Sequence, residues 1–209
     1  MSDSEVFSID ANATIEELEL HIGVLTERLN AMRRAASGYE VPDYTFQTQD
    51  GETRLSDLFA GRDKLFVIHN MGQGCRSCTL WADGFNGFVP HLESAMAVVL
   101  VSKDYPDTQR LFANSRGWRF RLASHAGGDY MREQIATPDY DNMPGAVLYE
   151  RKDGKIVRKN SVFFGPGDIF CSVWHILALA GYSEDDWTPQ FNYWLRPQDL
   201  DDGGENILG

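Results

Sequence analysis

Cysteine is scarce in this 209-residue chain: three residues, at positions 75, 78 and 171. So few thiols exclude a small scaffold stapled by disulfides. Long apolar runs are missing too, the longest clean ones being Leu65 to Ile68 and Ala95 to Val101. Neither approaches the roughly 20 residues that cross a bilayer, so no membrane association is expected. Basic residues are outnumbered, 19 against 31 acidic, and the net charge of −12 opposes nucleic acid and anionic surfaces as partners. No internal repeat is present. The segment Met1-Ser2-Asp3-Ser4-Glu5 has neither a basic head nor an apolar stretch, so no secretory signal is read there and a cytoplasmic location is expected.

What the chain does have is 43% hydrophobic residues, enough to bury a substantial core in one domain with terminal extensions. Ile15, Leu18, Ile22, Leu25, Leu29 and Met32 recur at steps of three and four, which describes one stripe on a helix. Thr14 and Glu17 form its capping box. The stripe suits docking on the main domain or on a second copy in a homodimer. The organisation expected is an extension over residues 1–38, a main domain over 39–185 and a polar, loosely ordered tail over 186–209.

Within the main domain, Tyr44 to Phe46, the Asp50-Gly51 turn and Thr53 to Leu55 predict a hairpin, followed by a helical turn closed at Gly61. Lys64 to His69 and Ala95 to Ser102 read as buried strands. Between them lies a helix from about Cys75 to Leu92, weakened by Gly84 and Gly87 and kinked at Pro90. Another helix runs from about Asp107 to Arg116 and ends at Gly117, with an extended segment from Trp118 to Ala123. Gly145 to Glu150, Asp153-Gly154 and Lys155 to Phe163 form the clearest hairpin. Asp168 is expected to cap a last helix that runs to Ala180 and packs against the sheet. Strand, helix, strand implies a parallel pair, and the later hairpin adds antiparallel strands.

The chemistry concentrates in Gly74-Cys75-Arg76-Ser77-Cys78. Two thiols three residues apart after a strand can meet as a reversible disulfide at a helix N-terminus, hold half of a zinc site, or be inert. Cys75 falls at the cap or first turn, where unpaired backbone donors favour a thiolate, and Cys78 lies deeper on the same face. Cys75 is therefore the candidate attacking sulfur and Cys78 the resolving one. Arg76 adds a positive charge beside them, or is an ordinary surface residue. Trp81 and Asn86 follow on the helix as candidates to line the site, although Cys78, Trp81 and Phe85 share a face that core packing explains equally well. Asp83 is a candidate proton acceptor for Cys78 or a solvated helix residue, and His69 a candidate proton partner of the thiolate or a structural histidine.

The order of elements, with Cys75-Arg76-Ser77-Cys78 and Met143-Pro144 before the hairpin, resembles the thioredoxin fold. The opening from Tyr44 to Phe59 resembles its peroxiredoxin-like branch. Gly74 to Gly87, with Pro90-His91-Leu92 and Gly117-Trp118, resembles the bacterial thioredoxin-like family called domain of unknown function 899. The resemblance implies an α/β thioredoxin-like fold, a mixed central sheet flanked by helices, with an extra N-terminal helix and hairpin. It also implies a cis bond before Pro144, facing the dithiol with a backbone edge free for an incoming peptide. Met143 and Pro144 thus join Arg76, Ser77 and Trp81 as expected substrate-binding residues. Thioredoxins place a tryptophan directly before the first cysteine; Gly74 stands there instead.

The function expected is thiol-disulfide exchange through Cys75 and Cys78, with no cofactor or metal, on a disulfide-containing protein or small thiol substrate. Three alternatives stand beside it. A thiol-dependent peroxidase is one, with Arg119 or Arg121 assisting, although Cys75 occupies the place, three residues before Cys78, where peroxiredoxins carry threonine or serine. A non-catalytic redox-sensing module is another. The third is a structural zinc site built from Cys75, Cys78, Cys171 and His175, the last two sharing a helix face.

Overall fold

The computed structural model describes residues 12–183 and 185–191, and divides the chain between Ser37 and Gly38 into two units. The first contains helix α1 (Ile15–Ala35), started by the capping box: Thr14 Oγ1 accepts the Glu17 N–H at 3.2 Å, and Glu17 Oε2 accepts the Thr14 N–H at 2.8 Å. Glu16 and Glu17 in the first turn and Arg33 and Arg34 in the last complement the helix dipole. No side chain of α1 is buried.

The second unit is built on one mixed sheet. Its strands are β1 (Tyr39–Val41), β2 (Thr45–Thr48), β3 (Gly51–Arg54), β4 (Lys64–His69), β5 (Ala97–Ser102), β6 (Arg121–Ser124), β7 (Gly145–Lys152) and β8 (Lys155–Phe163). They lie in the order β1-β8-β7-β4-β5-β6-β2-β3. The β4–β5 and β5–β6 pairs are parallel, and the rest antiparallel. Every residue of β5 is buried, as a continuous apolar run at the centre of such a sheet requires.

Helices α2 (Leu55–Leu58), α3 (Arg76–Ala95), α4 (Pro106–Arg116) and α5 (Ser172–Leu179) complete the unit, with a π-helical turn at Met131–Ile135. Pro106 starts α4, where its missing N–H costs nothing, and Gly117 ends it at φ 67°. Alternation along the strands divides the core. Ile68, Val98, Leu100 and Ala146 meet Trp81, Ala82, Phe85 and Val89 of α3. Leu65, Val67, Val99, Val101, Val147 and Tyr149 belong to a second cluster, which holds Phe46, Phe59 and Tyr130. Successive strand residues point to opposite faces, so each central strand feeds both. Among the described residues no helix is long and apolar enough to cross a membrane.

The C-terminal expectations need correction. Asp168 does not cap α5. Its carboxylate accepts the N–H groups of Gly165 (3.0 Å) and Phe170 (2.6 Å) in a turn, and α5 begins only after Cys171. α5 packs through Trp174, which is buried, and leaves Ile176 and Leu179 exposed. The first residues of the segment 186–209, expected to be a loose tail, instead contribute to the core. Phe191 is buried against Phe112, and Trp187 meets Trp174 edge to face. Residues 192–209 of that tail lie outside the described residues.

Candidate active site

Chain direction brings the two parallel strands β4 and β5 to the same end of the sheet, and the loops leaving them build the site. After β4, Asn70 is buried and ties the turn: its N–H donates to Val101 O at 2.9 Å, and its Oδ1 accepts the Gly72 N–H at 2.8 Å. Gly72 sits at φ 129°, a conformation that side chains disfavour. Asp104, just beyond β5, accepts the Gln73 N–H at 2.7 Å through Oδ2. The loop entering the cysteine motif is therefore pinned at successive backbone donors.

Cys75 is the N-cap of α3, and its Sγ accepts the Cys78 N–H at 3.1 Å. Its carbonyl accepts the Thr79 N–H at 3.0 Å and the Thr79 hydroxyl at 2.9 Å. The two cysteines are joined as a disulfide, their Cα atoms 5.2 Å apart. Cys75 is half-buried and Cys78 buried at 3% exposure, so Cys75 is the more accessible of the pair.

Cys75 opens onto a cavity of about 850 Å³ whose walls also include Arg76, Ser77, Trp81, Met143 and Pro144. All the residues expected from sequence to bind substrate thus line one space. Trp81 is stacked on Phe164, ring centroids 5.5 Å apart. The expected cis bond before Pro144 is absent: no peptide bond is cis among the described residues. The trans bond leads directly into β7, where Gly145 is already paired with His69 on one side and Phe163 on the other, and Pro144 O accepts the Phe164 N–H at 3.0 Å.

Other candidates lie elsewhere. The Asp83 carboxylate is part-exposed and engaged away from the cavity: it accepts the Trp118 indole N–H at 2.7 Å and pairs with Arg116. Asn86 bridges to the segment after α4, accepting the Arg119 N–H at 2.7 Å and donating to Gly117 O at 3.1 Å. Neither Arg119 nor Arg121 lines the cavity. Burial lowers the Arg121 guanidinium below its ordinary value.

His69 is buried and does not line the cavity. Its Nε2 is 2.7 Å from the Tyr130 hydroxyl, and the Tyr149 hydroxyl donates to Gln134 Oε1 at 3.0 Å and lies 3.3 Å from that of Tyr130. Gln134 Nε2 donates to the Tyr44 hydroxyl (3.0 Å), which in turn donates to Glu133 (2.6 Å). Burial holds His69 neutral, its pKa pushed down to about 3, and raises the phenols of Tyr130 and Tyr149.

Sequence reasoning missed Met71, Lys103, Asp104, Tyr140, Asn142, Phe164, Pro166 and Thr188 in the cavity wall. A usable signal existed for the first three, since ligands of α/β sheets gather beyond the carboxyl ends of parallel strands. Asn142 and Tyr140 arrive by tertiary packing alone, with Asn142 Nδ2 donating to Met71 O at 3.1 Å.

A family model described as "Bacterial protein of unknown function (DUF899)" matches residues 8–200. The chain belongs to that family. Among solved structures, two serine-substituted mutants of Xanthomonas campestris peroxiredoxin Q each superpose with a TM-score of 0.51. They are 17% and 16% identical, covering 69% and 70% of this chain and 98% and 99% of their own. Peroxidoxin BcpB from Mycobacterium tuberculosis is 19% identical over 69% of this chain and 94% of its own, with a TM-score of 0.47. A search of the curated proteins finds no match to the sequence. Likeness at this level establishes the fold of this DUF899 member: thioredoxin-like, as in peroxiredoxin Q.

The zinc arrangement is not assembled in this DUF899 chain. Cys75 and Cys78 are bonded to each other, and Cys171 is a buried free thiol that burial keeps protonated. Among the described residues no group of three or more histidine, cysteine or acidic side chains could hold a metal ion. What the geometry offers is a half-exposed sulfur at a helix N-terminus, a buried partner within bonding reach, and a cavity in front of them.

Proposed function

We propose that this protein is a thiol-disulfide oxidoreductase acting through Cys75 and Cys78. The observation that carries this reading is the unequal burial of the bonded pair, with Cys75 at the N-cap of α3 and open to the cavity. In the reduced protein the Cys75 thiolate attacks a substrate disulfide and forms a mixed disulfide. Cys78 then loses its proton and attacks Cys75 Sγ, releasing the second substrate thiol. Two electrons pass from the dithiol, which becomes the disulfide. A cytoplasmic setting fits, because thiol pools there reduce such a pair after each turnover.

Replacing Cys75 with serine should abolish exchange, whereas Cys78→Ser should accumulate the mixed disulfide, visible by mass spectrometry of the intact protein. Retention of full activity by both variants overturns the mechanism.

A thiol-dependent peroxidase is the second reading, favoured by the fold shared with peroxiredoxin Q. Against it stand Cys75 in place of the hydroxyl residue three before Cys78 and a cavity lining that includes neither Arg119 nor Arg121. Stopped-flow reaction of the reduced protein with hydrogen peroxide decides between them: a rate no greater than that of free cysteine removes the peroxidase.

A further inference from the structure

We propose that the cavity beside Cys75 selects a small organic disulfide bearing an aromatic or similarly flat apolar group, rather than an extended protein segment; the proposal rests on the exchange reading above. The first reason is that the main chain at Pro144 and Gly145 is already paired. An extended peptide docks on a thioredoxin-like site by pairing with free backbone groups beside the dithiol. Here Pro144 O already accepts the Phe164 N–H, and Gly145 enters the sheet paired on both sides. Affinity from added main-chain hydrogen bonds is therefore reduced at this position.

The second reason is the shape and lining of the space. At about 850 Å³ it falls within the range of small-molecule sites, roughly 300–1,000 Å³. Trp81 and Phe164, 2% and 4% exposed and stacked on each other, back the cavity as a rigid support and leave little ring surface open to it. Met71 and Met143 supply adaptable apolar surface, and Tyr140, 64% exposed, stands at the rim. An aromatic group seated between Met71, Met143 and the exposed ring of Tyr140 gains apolar contact while its disulfide meets Cys75. The reaction balances without a further reagent: protein dithiol and R–S–S–R give the protein disulfide and two R–SH.

The bis-benzylamide and the bis-methylamide of N,N′-diacetylcystine test this, because both are neutral and release cysteine amide thiols of nearly equal acidity. Single-turnover oxidation of the reduced full-length protein should be at least about tenfold faster with the benzylamide, the gain from burying one ring. With dithiothreitol in place of the protein the two rates should match. Tyr140→Ala should shrink the preference several-fold.

Rates within twofold of each other overturn the proposal, as does faster oxidation of the dithiol by insulin than by the benzylamide. If none of the three disulfides oxidises the protein faster than dithiothreitol, the exchange reading fails. Calorimetry with the redox-inert S-methyl-N-acetylcysteine benzylamide on the oxidised protein then decides the cavity separately. Saturable binding at up to millimolar ligand sustains the aromatic site, and no binding overturns it.

Discussion

Cys75 Sγ accepts the backbone N–H of Cys78 at 3.1 Å, across the first turn of the helix that Cys75 caps. The same donor remains available to a thiolate when the disulfide opens, and the positive end of the α3 dipole adds to it. Stabilising the thiolate favours the reduced form. The Cys75–Cys78 couple should therefore have a potential less reducing than the roughly −270 mV of thioredoxin. Equilibration with glutathione buffers of known ratio, read by alkylation and mass spectrometry, measures it. A value at or below that of thioredoxin would show that the N-cap donor has no effect on the couple.

Gly72 offers a second prediction, because two constraints meet at one residue. Its φ of 129° disfavours any side chain, and a Cβ there would come within 2.9 Å of Asp104 Oδ1. The other oxygen of that carboxylate holds the Gln73 N–H, so Gly72→Ala forces the loop and Asp104 apart. A loss of about 1–3 kcal/mol in stability is expected, with slower exchange at Cys75 in the molecules that remain folded. Urea denaturation and single-turnover kinetics check the two effects. An alanine variant as stable and as fast as the parent would mean that the loop is not fixed by these contacts.

How much of this was legible beforehand depended on the range of the interactions. The capping box at Thr14 and Glu17, the helix end at Gly117 and the Gly145–Phe163 hairpin are each decided by residues within a few positions, and sequence placed them. So was the cysteine motif, since the strand before it and the spacing within it are local. The pairing of β1 with β8 joins Tyr39 to Arg158, and β2 reaches β6 through Gln47 opposite Ser124; neither leaves a local trace. The trans bond before Pro144 likewise leaves no mark in the residues around it. Position in a resembling fold carried no information on that.

Asp83 illustrates the same limit, since its partners lie 33 and 35 residues further along. Its carboxylate joins α3 to the Arg116 guanidinium and the Trp118 indole, and Arg116 also donates to Phe191 O. Asp83→Ala leaves a part-buried indole N–H and guanidinium without their shared acceptor. The expected cost is about 1–3 kcal/mol. Exchange activity per folded molecule should be unchanged, because Asp83 takes no part in the cavity wall. A loss of turnover at full stability would instead return Asp83 to the proton chemistry of Cys78.

Acid sensitivity should come from two histidines held neutral. Burial pushes His69 down to about 3 and His125 down to about 4, with the positive charges of Arg158 and Lys103 respectively adding to the effect. In the unfolded chain both titrate near 6.5. Between about pH 4 and 6.5 the unfolded state therefore binds more protons than the folded one, and stability rises with pH across that window. Seen from neutral pH, stability is intact above about 6.5 and erodes as pH falls, at up to about 1.4 kcal/mol per pH unit for each histidine. The contribution of His125 stops changing below about 4, that of His69 below about 3. Urea titrations at pH 5 and pH 7 on the parent and on His125→Asn separate this from carboxylate effects, because asparagine cannot take up the proton. The variant should lose less stability between the two pH values; an unchanged difference would mean that His125 is already charged in the folded protein.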